Sequence, residues 1–479
     1  NAVASDLSTH ANLVGSETLT LSGIGTIASK DVGSNKTVPV GTLALADGSN
    51  GGLAANYTLS GGTHQLTVNQ RPLNATIQRF YDGSLNANGS DLSSFDSLQG
   101  GETLFLSGTG TVSNKNVSSN QSVTLGTLAL SDTGATGDTA NYSLNSAKLN
   151  IVRRPISTVY LTKLYDASTT VQASDLQTMS NLVGSETLTL TGTSTISDAN
   201  VGTKTVNTGG FTLNDQAGAN ASSGGLASNY ILSGGTHQLI INQRPLNATL
   251  ARQYDGTTTA AGSTLSSFDA LQGGETLTLS GSGTAANDNV ANGISVSSLG
   301  TLALANGTGA ASNYSLNSAA INITQRVLNS SGSKTYNANT NALAADITLS
   351  NLVSGEALNH SGTASTSSAN AASYTITNLA GITIADGSGG TASNYTLTGG
   401  THNFVVNQKV ISLSGSRLYD ATTNAVASDL TTISGRVGSE TLALNGTGSV
   451  SNANVSNNKT VTLGTLALGD GTGLAANYT

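Results

Sequence analysis

Residues 69–83 read N-Q-R-P-L-N-A-T-I-Q-R-F-Y-D-G, and two features of this stretch decide the fold. Leu73, Ala75 and Ile77 alternate with Asn74, Thr76 and Gln78, and the alternation carries on to Arg79 and Tyr81. A period of two is the signature of a β-strand with one buried face. The second feature is what precedes it. Strand-like residues run to Val68, Asn69-Gln70-Arg71-Pro72 follow, and Leu73 resumes the alternation at once. Pro72 fixes φ and stiffens the step, and there is no Gly/Ser linker to give slack.

Both halves of the stretch recur. The join returns as Arg153-Arg154-Pro155, Gln243-Arg244-Pro245, Gln325-Arg326-Val327 and Gln408-Lys409-Val410, and the close as Tyr165-Asp166, Tyr254-Asp255, Tyr336-Asn337 and Tyr419-Asp420. Two further markers keep step. Glu17, Glu102, Glu186, Glu275, Glu356 and Glu440 stand in Gly-Ser-Glu, Gly-Gly-Glu or Ser-Gly-Glu, 81 to 89 residues apart. Tyr57, Tyr142, Tyr230, Tyr314, Tyr395 and Tyr478 each follow an Asn. Residues 424–430 repeat the N-A-V-A-S-D-L of residues 1–7. A period of about 85 residues is longer than a solenoid unit and marks a string of small domains. The expected repeats are 1–71, 72–154, 155–244, 245–326, 327–409 and 410–479. The first residue is Asn rather than Met and the outer repeats are short, so the sequence reads as an excerpt from a longer array.

Within a repeat every apolar pattern is strand-like. Leu104 and Leu106 alternate, as do Val123 with Leu125 and Leu128 with Leu130, with a slip at Gly126-Thr127 that a bulge or turn would absorb. Tyr142 and Leu144 alternate and, after another slip, Ala147, Leu149 and Ile151 follow. No apolar spacing of 3.6 survives ten residues. The expected fold is all-β: a tandem array of small β-sandwich or β-grasp-like domains, each of five or six short strands, forming an extended rod. Eleven of the 13 tyrosines lie in the Asn-Tyr and Tyr-Asp motifs, in a chain with six Phe and no Trp. They are expected to anchor each domain's core at a strand start, with ring buried and hydroxyl at a polar edge. The neighbouring Asn and Asp would close local turns.

Composition narrows the function. Only 9% of residues are charged, the net charge is −8, and no basic block suits nucleic acid. No apolar run approaches 18 residues, so no membrane insertion is expected in this segment. Zero Cys excludes a disulfide scaffold and thiolate metal sites, and fits a bacterial protein exported unfolded.

The stretch D-A-N-V-G-T-K-T-V (198–206), the L-A-L-A-D-G leading to A-N-Y-T, and the Y-D-G or Y-D-A that follows resemble the YDG and MBG repeats of large bacterial surface proteins. The likeness covers all six repeats. Asn337 in place of Asp, joins at Val327 and Val410 without Pro, and Tyr-Asp-Ala at two sites depart from the pattern. The resemblance implies secretion, a β-rich repeat, and a stalk between a cell anchor and an adhesive tip, as in filamentous-haemagglutinin-like adhesins and biofilm matrix proteins.

Residues suited to chemistry are few. His10, His64, His237, His360 and His402 lie beside no serine nucleophile elbow, and His64, His237 and His402 share a Gly-Gly-Thr-His slot that reads as structural. The recurring glutamates have no second fixed acid, which a glycosidase would need. Asp47, Asp132, Asp215, Asp386 and Asp470, with Asn306 in the remaining repeat, sit in one Gly-rich loop. Such oxygens can bind Ca²⁺, but one or two carboxylates per loop favour a plain turn. Lys36, Lys204 and Lys459 precede a strand in three repeats, the slot an intramolecular Lys–Asn crosslink would use, and repeat four has none. Asn74-Ala75-Thr76 is a glycosylation sequon of the kind that arises by chance in such a composition. No catalytic, cofactor-binding or metal residue is assigned, and an enzyme is not expected. The expected function is the structural stalk of an extracellular adhesin or matrix filament. The alternative is a set of glycan- or protein-binding modules. Partners would be neighbouring repeats, identical chains side by side, or surface glycans.

Overall fold

The computed structural model describes residues 1–216, 224–376 and 379–479, which form β-strands, turns and single 3-10 turns, without an α-helix among them. They fall into two compact units, 1–242 and 243–479. Each unit contains the same β-domain in series.

The second repeat shows the plan. Its strands are β1 (Arg71–Phe80), β2 (Asn86–Asn88), β3 (Leu92–Phe95), β4 (Phe105–Ser107), β5 (Thr109–Thr111), β6 (Ser118–Ser122), β7 (Ala129–Ser131) and β8 (Tyr142–Val152). The first and last strands, β1 and β8, pair in parallel from Arg71↔Tyr142 to Phe80↔Val152, with one register shift between Leu144 and Ser146. The strand β6 flanks β8 and β3 flanks β1, giving a mixed sheet in the order β6-β8-β1-β3; β4 pairs with β7 and β2 with β5. Leu73, Ala75 and Ile77 of β1 and Ala147, Leu149 and Ile151 of β8 are buried, as the alternation requires. Leu73 packs with Leu104 and Tyr142, against Phe95, Leu98 and Leu130.

Eight strands stand where apolar patterning gives five or six. The extra ones, such as Asn-Ala-Asn in β2 and Thr-Gly-Thr in β5, carry almost no apolar side chains. Backbone pairing to a neighbour holds them, and hydrophobic periodicity does not register them. The slip at Gly126-Thr127 is a turn: Gly126 has φ +56°, and Leu128 N–H donates to Leu125 O at 2.8 Å.

The fourth repeat follows the same plan, with Arg244–Gln253 parallel to Tyr314–Thr324. The third and fifth differ. In the third, Arg154–Pro155 pairs with Tyr230–Ile231, residues 232–237 interrupt the register with Thr236 N–H still donating to Ser157 O at 2.9 Å, and pairing resumes at Tyr160↔Gln238. In the fifth, Arg326–Val327 pairs with Tyr395–Thr396 and the ladder restarts at Ser330↔His402. A buried histidine fills each gap. His237 Nδ1 accepts from Val159 N–H at 3.1 Å and Nε2 donates to Leu232 O at 2.6 Å. His402 Nε2 donates to Leu397 O at 2.8 Å, with Nδ1 2.9 Å from Ser330 Oγ. His64 makes the equivalent bond to Leu59 O at 2.8 Å.

Candidate functional site

The site begins in the Gly-rich loop. Its acid or amide ties down the one-turn 3-10 helix that delivers Asn-Tyr: Asp47 accepts from Ala54 N–H, Asp215 from Ala227 N–H, Asp386 from Ala392 N–H and Asp470 from Ala475 N–H, each at 2.7 Å, and Asn306 accepts from Ala311 N–H at 2.8 Å. Asp132 accepts instead from Thr139 Oγ1 at 3.1 Å, while Asp138 caps that turn through Ala140 N–H at 2.8 Å. An oxygen placed to accept from a turn's free N–H is a helix-cap arrangement. Among the described residues, no three His, Cys, Asp or Glu side chains are gathered as metal ligands would be.

The tyrosine so delivered meets the recurring glutamate of its own repeat. Its hydroxyl donates to the carboxylate: Tyr57 to Glu17, Tyr230 to Glu186 and Tyr314 to Glu275 at 2.5 Å, Tyr395 to Glu356 at 2.6 Å, Tyr142 to Glu102 at 2.7 Å, and Tyr478 to Glu440. The same hydroxyl accepts a backbone N–H just upstream of the glutamate, from Val183 at 2.9 Å and from Val353 at 3.0 Å.

The second carboxylate oxygen is taken from across the join. Tyr81 of repeat two donates to Glu186 of repeat three at 2.6 Å, Tyr254 of repeat four to Glu356 of repeat five at 2.6 Å, and Tyr336 of repeat five to Glu440 of repeat six at 2.7 Å. The two rings sharing each carboxylate pack edge to face. Centroids lie 5.5 Å apart for Tyr81–Tyr230 and 5.4 Å apart for Tyr254–Tyr395 and Tyr336–Tyr478. Nine of the eleven motif tyrosines are buried as expected, whereas Tyr57 is half-buried and Tyr419 is exposed, and the buried ones are not separate anchors of separate cores. One apolar cluster runs from Ile321 and Ile323 through Tyr254 to Leu328 and Tyr395, joining repeats four and five. Another joins Phe404 and Tyr336 to Tyr478.

The Asn before the tyrosine in repeats two, three, five and six reaches into the preceding repeat instead of closing a local turn. Asn229 accepts from Val117 N–H and donates to Asn116 Oδ1, both at 2.9 Å. Asn394 does the same with Val290 N–H at 2.8 Å and Asn289 at 3.1 Å, and Asn477 with Ala371 N–H at 2.7 Å and Asn370 at 3.0 Å. The join residues add to the clasp. Gln325 Nε2 donates to Ser393 O at 3.1 Å, and Arg154 donates forward to Asn181 O at 2.8 Å and back to Tyr81 O at 3.3 Å.

The Tyr-Asp-Gly that closes the first strand of a repeat is therefore also what grips the next repeat. The sequence pattern of the YDG domain matches residues 1–66, 63–149, 153–237, 242–323, 320–402 and 405–479. The chain belongs to the YDG domain family. No curated protein matches it.

Each complete YDG repeat holds its signature turn with a cation that motif reading passed over. A basic residue stands two places before every such tyrosine: Arg79, Lys163, Arg252, Lys334 and Arg417. Arg79 bonds Asp82 and donates to Phe80 O, Ser84 O and Asn86 O. Lys163 bonds Asp166 at 2.9 Å and donates to Ser168 O and Thr170 O. Where Asn337 replaces the aspartate, Lys334 turns to Asn339 and Asn341 carbonyls, and burial pulls its pKa below the usual lysine value. The turn's third residue has positive φ, +76° at Gly83 and +59° at Ala167. At Gly83 an added Cβ would lie 2.9 Å from Val183 of the next repeat.

Other candidates take structural places. Lys36, Lys204 and Lys459 fasten the loop before their strand, through Ser29 O, Asp198 and Asn452 O respectively. The Asn74 side chain donates to Asp96 at 2.6 Å and accepts from Ser146 Oγ at 2.6 Å. Burial, and then the bond to the carboxylate, push the motif tyrosines up, Tyr314, Tyr336 and Tyr395 to about 12 and Tyr81, Tyr230 and Tyr254 in the same direction. Neutral phenols facing a shared carboxylate give cohesion between repeats two and three, four and five, and five and six. No described helix is long and apolar enough to cross a membrane.

Proposed function

We propose that this chain is a structural stalk segment of an extracellular bacterial adhesin or matrix filament, and that its repeats act mechanically rather than catalytically. The observation that supports the reading is the joint. Repeats four and five are linked without a spacer, share one carboxylate between two buried tyrosines, and continue one apolar cluster across the join, and repeats five and six do the same. Such a joint transmits direction from one domain to the next, which a flexible linker would not. The absence of Cys and the resemblance to surface-protein repeats support a secreted, cell-surface setting in this reading. The partners in this reading are the neighbouring repeats, with identical chains alongside or surface glycans at a distant tip. Small-angle scattering of the 479-residue chain tests the stalk. An extended particle, advancing roughly 35–45 Å per repeat as a domain of this size would, is expected, and the radius of a single compact globule would overturn it. Measurable glycan affinity of a two-repeat piece would instead favour the binding-module reading.

A further inference from the structure

We propose that the complete repeats are load-bearing clamps of two strengths, repeats two and four locked by a long ladder with a single register shift and repeats three and five built to yield first. The proposal rests on the stalk reading, since a stalk is held at both ends and carries tension.

In repeat two the chain enters at Arg71, the start of β1, and leaves beyond Val152, the end of β8. These strands are parallel neighbours. A pull on the two ends draws them in opposite directions along their own length. The inter-strand hydrogen bonds are then loaded together, whereas an antiparallel pair pulled from one end peels bond by bond. Rupture under force follows the unfolding barrier, and here the barrier is set by how much ladder must give at once.

On that measure the two repeat types differ. In repeats two and four the ladder runs from Arg71↔Tyr142 to Phe80↔Val152 and from Arg244↔Tyr314 to Gln253↔Thr324, each with one register shift. Side chains brace the shift: Asn74 accepts from Ser146 Oγ at 2.6 Å and Asn145 at 2.9 Å, and Asn247 accepts from Ser318 Oγ at 2.6 Å and Asn317 at 2.9 Å. In repeat three the ladder is cut into a two-residue piece and a second piece from Tyr160↔Gln238 to Leu164↔Asn242. The imidazole of His237 patches the gap with a side-chain acceptor for Val159 N–H. Repeat five is cut in the same place. The Asn-Tyr-Ser-Leu-Asn-Ser-Ala of the even repeats and the Gly-Gly-Thr-His of the odd ones thus encode a long clamp and a short clamp. Repeats in series feel one tension, so the short clamps open first. Each of about 80 residues lengthens the chain toward 280 Å, which relieves the long clamps.

The test is to stretch the whole chain by its ends in a single-molecule force instrument. The expected record has two classes of rupture, weaker ones before stronger, each followed by a gain of that length. A graft of residues 233–237 in place of residues 145–147 should move one rupture from the stronger class to the weaker, and a length gain changed only by the two added residues would show that the repeat had folded. If the graft does not fold, His402→Ala carries the test: it should weaken one rupture of the weaker class only, and weakening of a stronger one overturns the proposal. A single class in the unmodified chain also overturns it. A compact scattering profile with two classes would sink the stalk and keep the clamps; an extended profile with one class would do the reverse.

Discussion

The joint between repeats two and three and the joint between repeats one and two place the same glutamate in different company. Glu186 faces Tyr230 of its own repeat and Tyr81 of the one before, two neutral phenols whose rings also pack together. Glu102 faces Tyr142 of its own repeat and, in place of a second phenol, the Lys30 ammonium at 2.7 Å. The asparagine clasp is present in both: Asn141 accepts from Val32 N–H at 2.7 Å much as Asn229 accepts from Val117 N–H. The Lys30 side chain is 78% exposed, so its ion pair is screened and holds little, although it keeps the Glu102 carboxyl below its usual pKa. Tyr81 is 1% exposed. The carboxylate slot therefore accepts any donor, while firmness comes from the ring the donor carries.

Removing that ring should have the largest effect. Tyr81→Ala is expected to destabilise the second joint by roughly 3–5 kcal/mol, as other large aromatic truncations do, and to produce an early calorimetric transition. Faster hydrogen exchange at the Val183 amide should accompany it. Alkali comes next. Tyr336 and Tyr395 have folded pKa values of about 12 against an ordinary 10.0, so the protonated phenol is favoured by folding. Their contribution is full below pH 10 and disappears as pH rises from 10 to 12, on the order of 2 kcal/mol each. Stability profiles of wild type and Tyr395→Phe should converge across that window, and parallel profiles would refute the picture of neutral phenols donating to the carboxylate. Asn229→Ala leaves Val117 N–H without its acceptor and should cost about 1–3 kcal/mol, read as exchange at that amide. Smallest of all is Lys30→Ala, which should leave the melting profile unmoved at physiological salt. A loss matching that of Tyr81→Ala would erase the distinction between the two joints.

Sequence reasoning reached some of these residues and not their meetings. The glutamates and tyrosines stood out by period alone. The basic residue before each Tyr-Asp could have been found the same way, since Arg79, Lys163, Arg252, Lys334 and Arg417 recur as faithfully as the aspartates. Asn229 was legible as a recurring position but not in its role. A local turn and a contact more than 110 residues back along the chain leave the same mark on one sequence. The short polar strands were invisible because backbone pairing, not side-chain burial, creates them.

The sequence by itself determined the repeat and the all-β character, because period and side-chain alternation are local properties of the chain. Only the tertiary structure decided that Tyr81 and Tyr230 share Glu186 across a join, and that the first and last strands of a repeat lie parallel. Both are pairings between distant segments. Their free energy comes from burying surfaces and satisfying donors that meet only when the whole domain and its neighbour have folded.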